Sequence, residues 1–371
     1  MRPRPRDVPT AIAGWALLAL VSGCGFLDPL DQAGLHLEMS PRDTAVTLNA
    51  HLQARALMVN SYQDRYPSTH IRYRGLDAIA PVRSDGDVTG LAFGRARVVG
   101  LRGDLADTGW VSVVPTGTLA VSTLSDNSVV SVMETDGSRF QQLAPSGQVY
   151  GGAAAWLPGE AGLVFQWAVP GGAGSTHLFV TDLTGNSREL LPYGSYPRVT
   201  RDGAWIYFEK ASGSGEIWRV HVDGTGLERI IAGGAGSPDP SPDGSGLVFW
   251  SAGLALTFRN LATGADTPLG VTGLRPRWSP NGTRIAYWWG PLGNTHPMAT
   301  GAIFIVNADG TGARQVSADG RLYRSWGLDW SPDGQWLVAR SDSSLDLIQV
   351  TTGLTLPLRY SSGFFSASWK P

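Results

Sequence analysis

From Trp110 onward, apolar, aromatic and β-branched residues come in short runs separated by tight-turn residues. The clearest unit is LDWSPDGQWLVAR, Leu328 to Arg340. Pro332 fixes φ and has no N–H to donate, and Gly334 accepts a positive φ, so Ser331 to Gly334 reads as a tight turn between two strands. The unit recurs at Arg275 (RPRWSPNGTRIAYWW), Ser237, Tyr196, Ala153 and, in weaker form, at Trp110 (WVSVVPTGTLAVST). Aligned on the turn, the marks fall at Pro115, Pro158, Arg201, Pro242, Pro280, Pro332 and Pro371, 38 to 52 residues apart. A period of roughly 40–45 residues made of strands and turns is that of a β-propeller blade.

Each repeat carries a second turn further on, such as Val222-Asp223-Gly224, Ala262-Thr263-Gly264 and Ala308-Asp309-Gly310. Asp-Gly and Thr-Gly between apolar runs are hairpin chemistry. With the strands before and after this turn, each blade has four antiparallel strands, A to D. The fold class is therefore all-β, a propeller.

The N-terminal third has a different pattern. Ser40-Pro41-Arg42-Asp43 carries helix-start residues, and Val46, Leu48, Leu52, Leu57 and Met58 follow, which predicts one helix to about Tyr62. Ile71–Tyr73, Ala78–Arg83, Val88–Phe93 and Ala96–Leu101 read as strands. The repeat array finishes on an inner strand, FSASWK, without outer ones. Joining it to outer strands from 71–105 would close the ring and remove its open edges. The expected domains are a leader over 1–23, a tether and helix over 24–70, and a propeller over 71–371. The count is seven blades, or six if 71–105 form something else.

SPDG followed by an LVF or IAY strand, then a strand and turn of the type IFIVNADGTG, resembles the WD40-like (PD40) repeat of the TolB family. The resemblance covers about 110–371 and is strongest from 196 to 339. Its turn residues Pro242, Asp243, Gly244, Pro280, Asn281, Gly282, Pro332, Asp333 and Gly334 are expected to be structural. TolB-like domains bind partner proteins, so the resemblance implies a binding module for an envelope protein, peptide or glycan.

Composition fits the pattern. Charged residues make up 16% of the chain, and there are 48 Gly and 14 Trp, which suits many short strands and tight turns rather than a coiled coil or a disordered chain. The net charge of −2, with no block of like charges, gives nucleic acid no electrostatic foothold. A monomer is expected.

Arg2, Arg4 and Arg6 precede an apolar run of 11 residues, Ala11 to Val21. That run suits a leader peptide and is shorter than the roughly 20 residues a membrane span needs. Val21-Ser22-Gly23-Cys24 follows, and Cys24 is the chain's one cysteine. The segment resembles a bacterial lipobox, which implies acylation of Cys24 and a membrane anchor. Gly25 in place of Asp favours the outer membrane under the enterobacterial sorting rule that the resemblance brings.

No other motif carries chemistry. Asp239, Ser241, Asp243 and Gly244 imitate the start of a calcium loop, but the twelfth position is Trp250, where a bidentate Glu is needed. There is no Gly-x-Ser-x-Gly elbow, no P-loop and no metal-type histidine spacing, so no catalytic residue, cofactor or metal is expected. Trp156, Trp278, Trp330 and Trp369 recur at the end of strand A and read as packing between blades. Trp288, Trp289 and His296 lie in or beside the long insertion 290–301 and are the candidates for a binding surface. The alternative function is a propeller enzyme, a polysaccharide lyase or hydrolase, with its site at the channel mouth.

Overall fold

In the computed structural model, residues 34–68, 70–123, 129–143, 151–168, 176–210, 215–290, 300–358 and 363–371 are described. They contain no α-helix. Six antiparallel sheets form the blades, five of them four-stranded and the sheet of blade 5 carrying a fifth short strand, Tyr323–Arg324. Blades 2 to 5 are built from consecutive strands, for example Ser195–Val199, Ile206–Glu209, Ile217–Val220 and Glu228–Ile231 in blade 3. Blade 6 runs from Asp329–Trp330 to Thr355–Pro357. The inner strands contact one another in a closed circle, with Phe364–Trp369 seated between those of blades 6 and 2.

The inner strand Phe364–Trp369 does close the ring, but its partners are not in 71–105. It pairs antiparallel with Thr118–Thr123, followed outward by Val130–Glu134 and Gln141–Gln142. This composite is blade 1, and the propeller therefore has six blades. Trp110 to Val114, expected as an inner strand, instead ends the long strand Leu105–Val114 of a separate N-terminal unit. There it pairs parallel with Asp43–Thr47 and antiparallel with Gly94–Arg102.

The expected helix is absent. Residues 36–59 form four strands, His36–Ser40, Asp43–Thr47, His51–Gln53 and Arg55–Val59. Their burial has period two, with Thr44 and Val46 inward on one strand and Ala56 and Met58 on another. That alternation needs the pleat of a strand and would be scattered around a helix. Of the strands expected in 71–105, Arg72–Gly75, Asp87–Thr89 and Gly94–Arg102 form, within this unit rather than in a blade.

The propeller core is divided among the seams between blades. Val164 and Leu178 of blade 2 meet Ile206, Phe208 and Val220 of blade 3, and Val248 and Leu256 of blade 4 meet Ile285 and Val306 of blade 5. Each such side chain contributes about 1.5–3 kcal/mol on burial, so a seam of five or six is a major stabilising element. The N-terminal unit covers the seam between blades 6 and 1, where Val114 and Ala45 join the cluster and Phe93 stands edge-on to Trp336 at 5.0 Å.

Candidate functional site

The turns after the inner strands ring one mouth of the central channel. In each, the glycine N–H donates to the serine carbonyl at 2.9 Å: Gly244 to Ser241, Gly282 to Ser279 and Gly334 to Ser331. The Asp or Asn side chain stays inside its own turn. Asp243 Oδ1 accepts from Ser241 Oγ at 2.6 Å and Ser245 N at 3.0 Å. Asn281 Oδ1 accepts from Ser279 Oγ at 2.8 Å, and Asp333 Oδ1 from Ser331 Oγ at 2.5 Å. These hydrogen bonds hold the Asp243 carboxyl below its usual range. Pro242, Pro280 and Pro332 line the mouth.

The mouth opens into a funnel of about 270 Å³. Its wall is built from Pro158, Pro242, Pro280, Pro332 and Pro371 with Trp156, Trp278, Trp330 and Trp369. Two of the indoles stitch neighbouring inner strands together: Trp156 Nε1 donates to Ser368 O at 3.0 Å and Trp330 Nε1 to Arg277 O at 2.9 Å. The tryptophans thus pack between blades and form the funnel wall as well.

Below the wall lies a ring of side chains from the position three residues before each turn mark. Blades 3, 4, 5 and 6 supply Arg198, Asp239, Arg277 and Asp329, so charge alternates from blade to blade; blades 1 and 2 supply Ser368 and Ala155. Asp239, Arg277 and Asp329 retain only 6%, 5% and 8% exposure. Arg198 Nε donates to Asp239 Oδ1 at 2.7 Å. Its Nη2 donates to Asp329 Oδ1 at 2.9 Å, across the axis from blade 3 to blade 6. The remaining carboxylate oxygens accept as well. Trp278 N donates to Asp239 Oδ2 at 2.7 Å, and Ser368 Oγ to Asp329 Oδ2 at 2.7 Å.

The electrostatics follow from burial and pairing. Burial pushes the Asp329 carboxyl up, but the attraction and hydrogen bond of Arg198 outweigh it, leaving the group below its usual range. Arg277 makes no ion pair among the described residues and bonds only the carbonyls of Leu328 and Pro276, at 3.2 and 2.8 Å. Burial, aided by repulsion from Arg198, pushes its guanidinium down to about 9.

At the other end of the channel a bulge interrupts the inner strands of blades 3, 4 and 5. It holds Tyr196, Ser237 and Arg275 at φ of 54°, 51° and 56°, unusual for residues with side chains. Arg275 stacks over Tyr196 at 3.4 Å and donates to Ser237 Oγ at 2.5 Å. Glu209 Oε1 accepts from Ser237 N, and burial raises the Glu209 carboxyl above its usual range.

Other expected site residues are dispersed. Trp288 is only 3% exposed, and its Nε1 donates to Tyr323 O at 2.9 Å, so it belongs to the core and not to a binding surface. Trp289 next to it is 40% exposed. The pleat explains the difference, since consecutive strand residues face opposite ways. His296, Cys24 and the leader segment lie outside the described residues. The charged ring was not among the expected site residues, although its signal is in the sequence: Arg, Asp, Arg and Asp at one fixed offset in four consecutive repeats. Among the described residues, no group of three or more His, Cys, Asp or Glu could hold a metal ion.

No family model matches the chain. The uncharacterized protein Atu1656 of Agrobacterium fabrum is 34% identical over 116 residues, which covers 24% of this chain. The chain spans 38% of the length of that relative. A chain of a crystallised nidogen–laminin complex superposes with a TM-score of 0.53 at 8% identity, over 68% of this chain and 98% of that one. An oligogalacturonate lyase solved with manganese gives a TM-score of 0.44 at 11% identity, over 86% of this chain and 91% of the lyase. The lyase likeness is too loose to bear on function, and the nidogen–laminin likeness establishes the β-propeller fold alone.

Proposed function

We propose that the protein is a lipid-anchored, TolB-like binding module of the cell envelope, held at a membrane through Cys24 and presenting the funnel to a protein or peptide partner. One observation carries this reading. The funnel wall is proline and tryptophan, and every carboxylate oxygen of its floor already accepts a hydrogen bond. Asp329 accepts four hydrogen bonds, from Arg198, Trp330 N, Ser368 Oγ and Trp369 N, which fill its lone-pair positions, and Asp239 accepts two, from Arg198 and Trp278 N. Both acids are thus tied to the arginine and the backbone rather than left free as a general base needs. Convergent charges would by themselves favour the alternative, a lyase or hydrolase. Here the two acids spend their charge on Arg198 and the backbone, which favours binding over catalysis. The anchor rests on the lipobox resemblance.

Two measurements test the proposal. Labelled palmitate should enter the native protein and be absent from Cys24→Ser; labelling of that variant, or none of the native protein, removes the anchor. A partner captured from envelope extracts by the native protein should be lost by Arg201→Glu. Arg201 lines the funnel rim and makes only a 3.5 Å bond to Pro280 O, so the variant should keep the fold. Recovery of glycans without protein would remove the binding-module reading.

A further inference from the structure

We infer that the funnel receives a peptide carboxylate, from an acidic side chain or a chain terminus flanked by apolar residues, seated on Arg198 Nη1. The inference rests on the funnel being a binding site and adds the chemistry of what enters it. The case begins with an inventory of donors and acceptors. On the floor, Asp239 and Asp329 accept at all four of their oxygens. The serine hydroxyl beside them is committed to Asp329. Arg198 donates from Nε and Nη2, while its Nη1 has no partner among the described residues. Arg201 on the rim is exposed, with one long bond to a carbonyl. The funnel thus holds unused donors on two guanidinium groups, and its floor carboxylates are taken.

A ligand matched to that inventory brings acceptors, and a carboxylate is a strong, charge-assisted acceptor for a guanidinium. Rim acids do not compete for the arginines, because Asp243 and Asp333 are bound within their own turns and Asp202 accepts from Thr200 Oγ1 at 2.6 Å. Sugars fit poorly. Their hydroxyls donate as well as accept, while Asp329 already carries four hydrogen bonds and both oxygens of Asp239 are held by Arg198 and Trp278 N, so the floor favours a ligand that accepts over one that also donates. Size points the same way. A volume of about 270 Å³ lies just below the roughly 300–1,000 Å³ of sites that enclose a whole small-molecule ligand, so it suits one side chain or a chain end rather than an oligosaccharide. The proline and tryptophan wall supplies apolar contact for the flanking residues.

The test is selection of a random heptapeptide library with free C-termini on the native protein, followed by titration of enriched synthetic peptides using tryptophan fluorescence. Enriched peptides should carry Asp, Glu or a terminal carboxylate beside apolar residues. Replacement of that group by its amide should weaken binding at least tenfold. Arg198→Lys keeps a cation between Asp239 and Asp329 but removes the open nitrogen, and should weaken binding by a similar factor with little change in near-UV circular dichroism. Arg201→Ala, on the exposed rim, should weaken it several-fold. Enriched peptides without an acid, or binding indifferent to amidation, would overturn the carboxylate while leaving the binding module standing. No peptide enrichment, together with binding of an acidic oligosaccharide, would overturn both.

Discussion

Ser122 and Ser366 share a hydrogen bond of 2.6 Å although 244 residues separate them in the chain. The bond lies in blade 1, between the inner strand Phe364–Trp369 and its neighbour Thr118–Thr123. It marks where the two ends of the repeat array meet. Closing so long a loop is entropically costly, and it is repaid only once the seams on both sides of blade 1 are packed. Removal of residues 364–371 should therefore abolish cooperative thermal unfolding. Ser366→Ala, which loses the hydroxyl alone, should lower stability by about 1 kcal/mol. Calorimetry distinguishes the two; a truncated protein that still melts in one sharp transition would show that this strand does not lock the ring.

The arginine between two buried acids should be indispensable to the fold. Arg198→Met leaves Asp239 and Asp329 without their shared cation, and breaking a buried ion pair from one side costs about 3–5 kcal/mol. Replacing all three charges together, with Asp239→Asn and Asp329→Asn added, should recover part of that loss. Urea unfolding of the single and triple variants measures both; equal stabilities would mean that the ring is not coupled.

Acid should weaken the protein through Asp329. Its folded value lies below the ordinary 3.8, so its contribution is present above 3.8 and is lost as pH falls through the lower folded value. Glu209 has the opposite sign. Its folded value is raised above 4.5, so its share is full below 4.5 and is lost as pH rises through the folded value. Stability measured against pH should lose the acid limb in Asp329→Asn. In Glu209→Gln it should lose the decline above 4.5. An unchanged profile in either variant would contradict the assigned role of that group.

Two adjacent tryptophans should respond differently. Trp288→Ala empties a core site and should cost about 3–5 kcal/mol. Trp289→Ala, at an exposed position, should stay within about 1 kcal/mol. Thermal melts of both variants decide the matter, and similar losses would mean that Trp289 carries packing that its exposure does not suggest.

The repeat was legible because turn chemistry is local. Pro332 and Gly334 specify their turn without help from distant residues, and five related turns in register imply an array. The N-terminal unit was not legible, because Ser40-Pro41-Arg42-Asp43 carries the residue types of a helix start while its strands are fixed by partners far away, Asp43–Thr47 by Leu105–Val114. Seven blades were favoured over six for a related reason. Trp110 to Val114 looks like an inner strand, yet Thr118–Thr123 pairs with Phe364–Trp369 instead, and periodicity does not reveal pairing across 244 residues. The charged ring was missed although it stands at a fixed offset, since a lone Arg or Asp on a strand gives no hint that three others face it around an axis.

The bond from Arg198 to Asp329 runs from one side of the ring to the other and acts as a strut. A toroid braced through its middle resists being flattened, because blades 3 and 6 are tied to each other as well as to their neighbours. The proline-lined mouth should therefore keep its width when something presses into it, and what it admits is set by a frame rather than by a yielding rim.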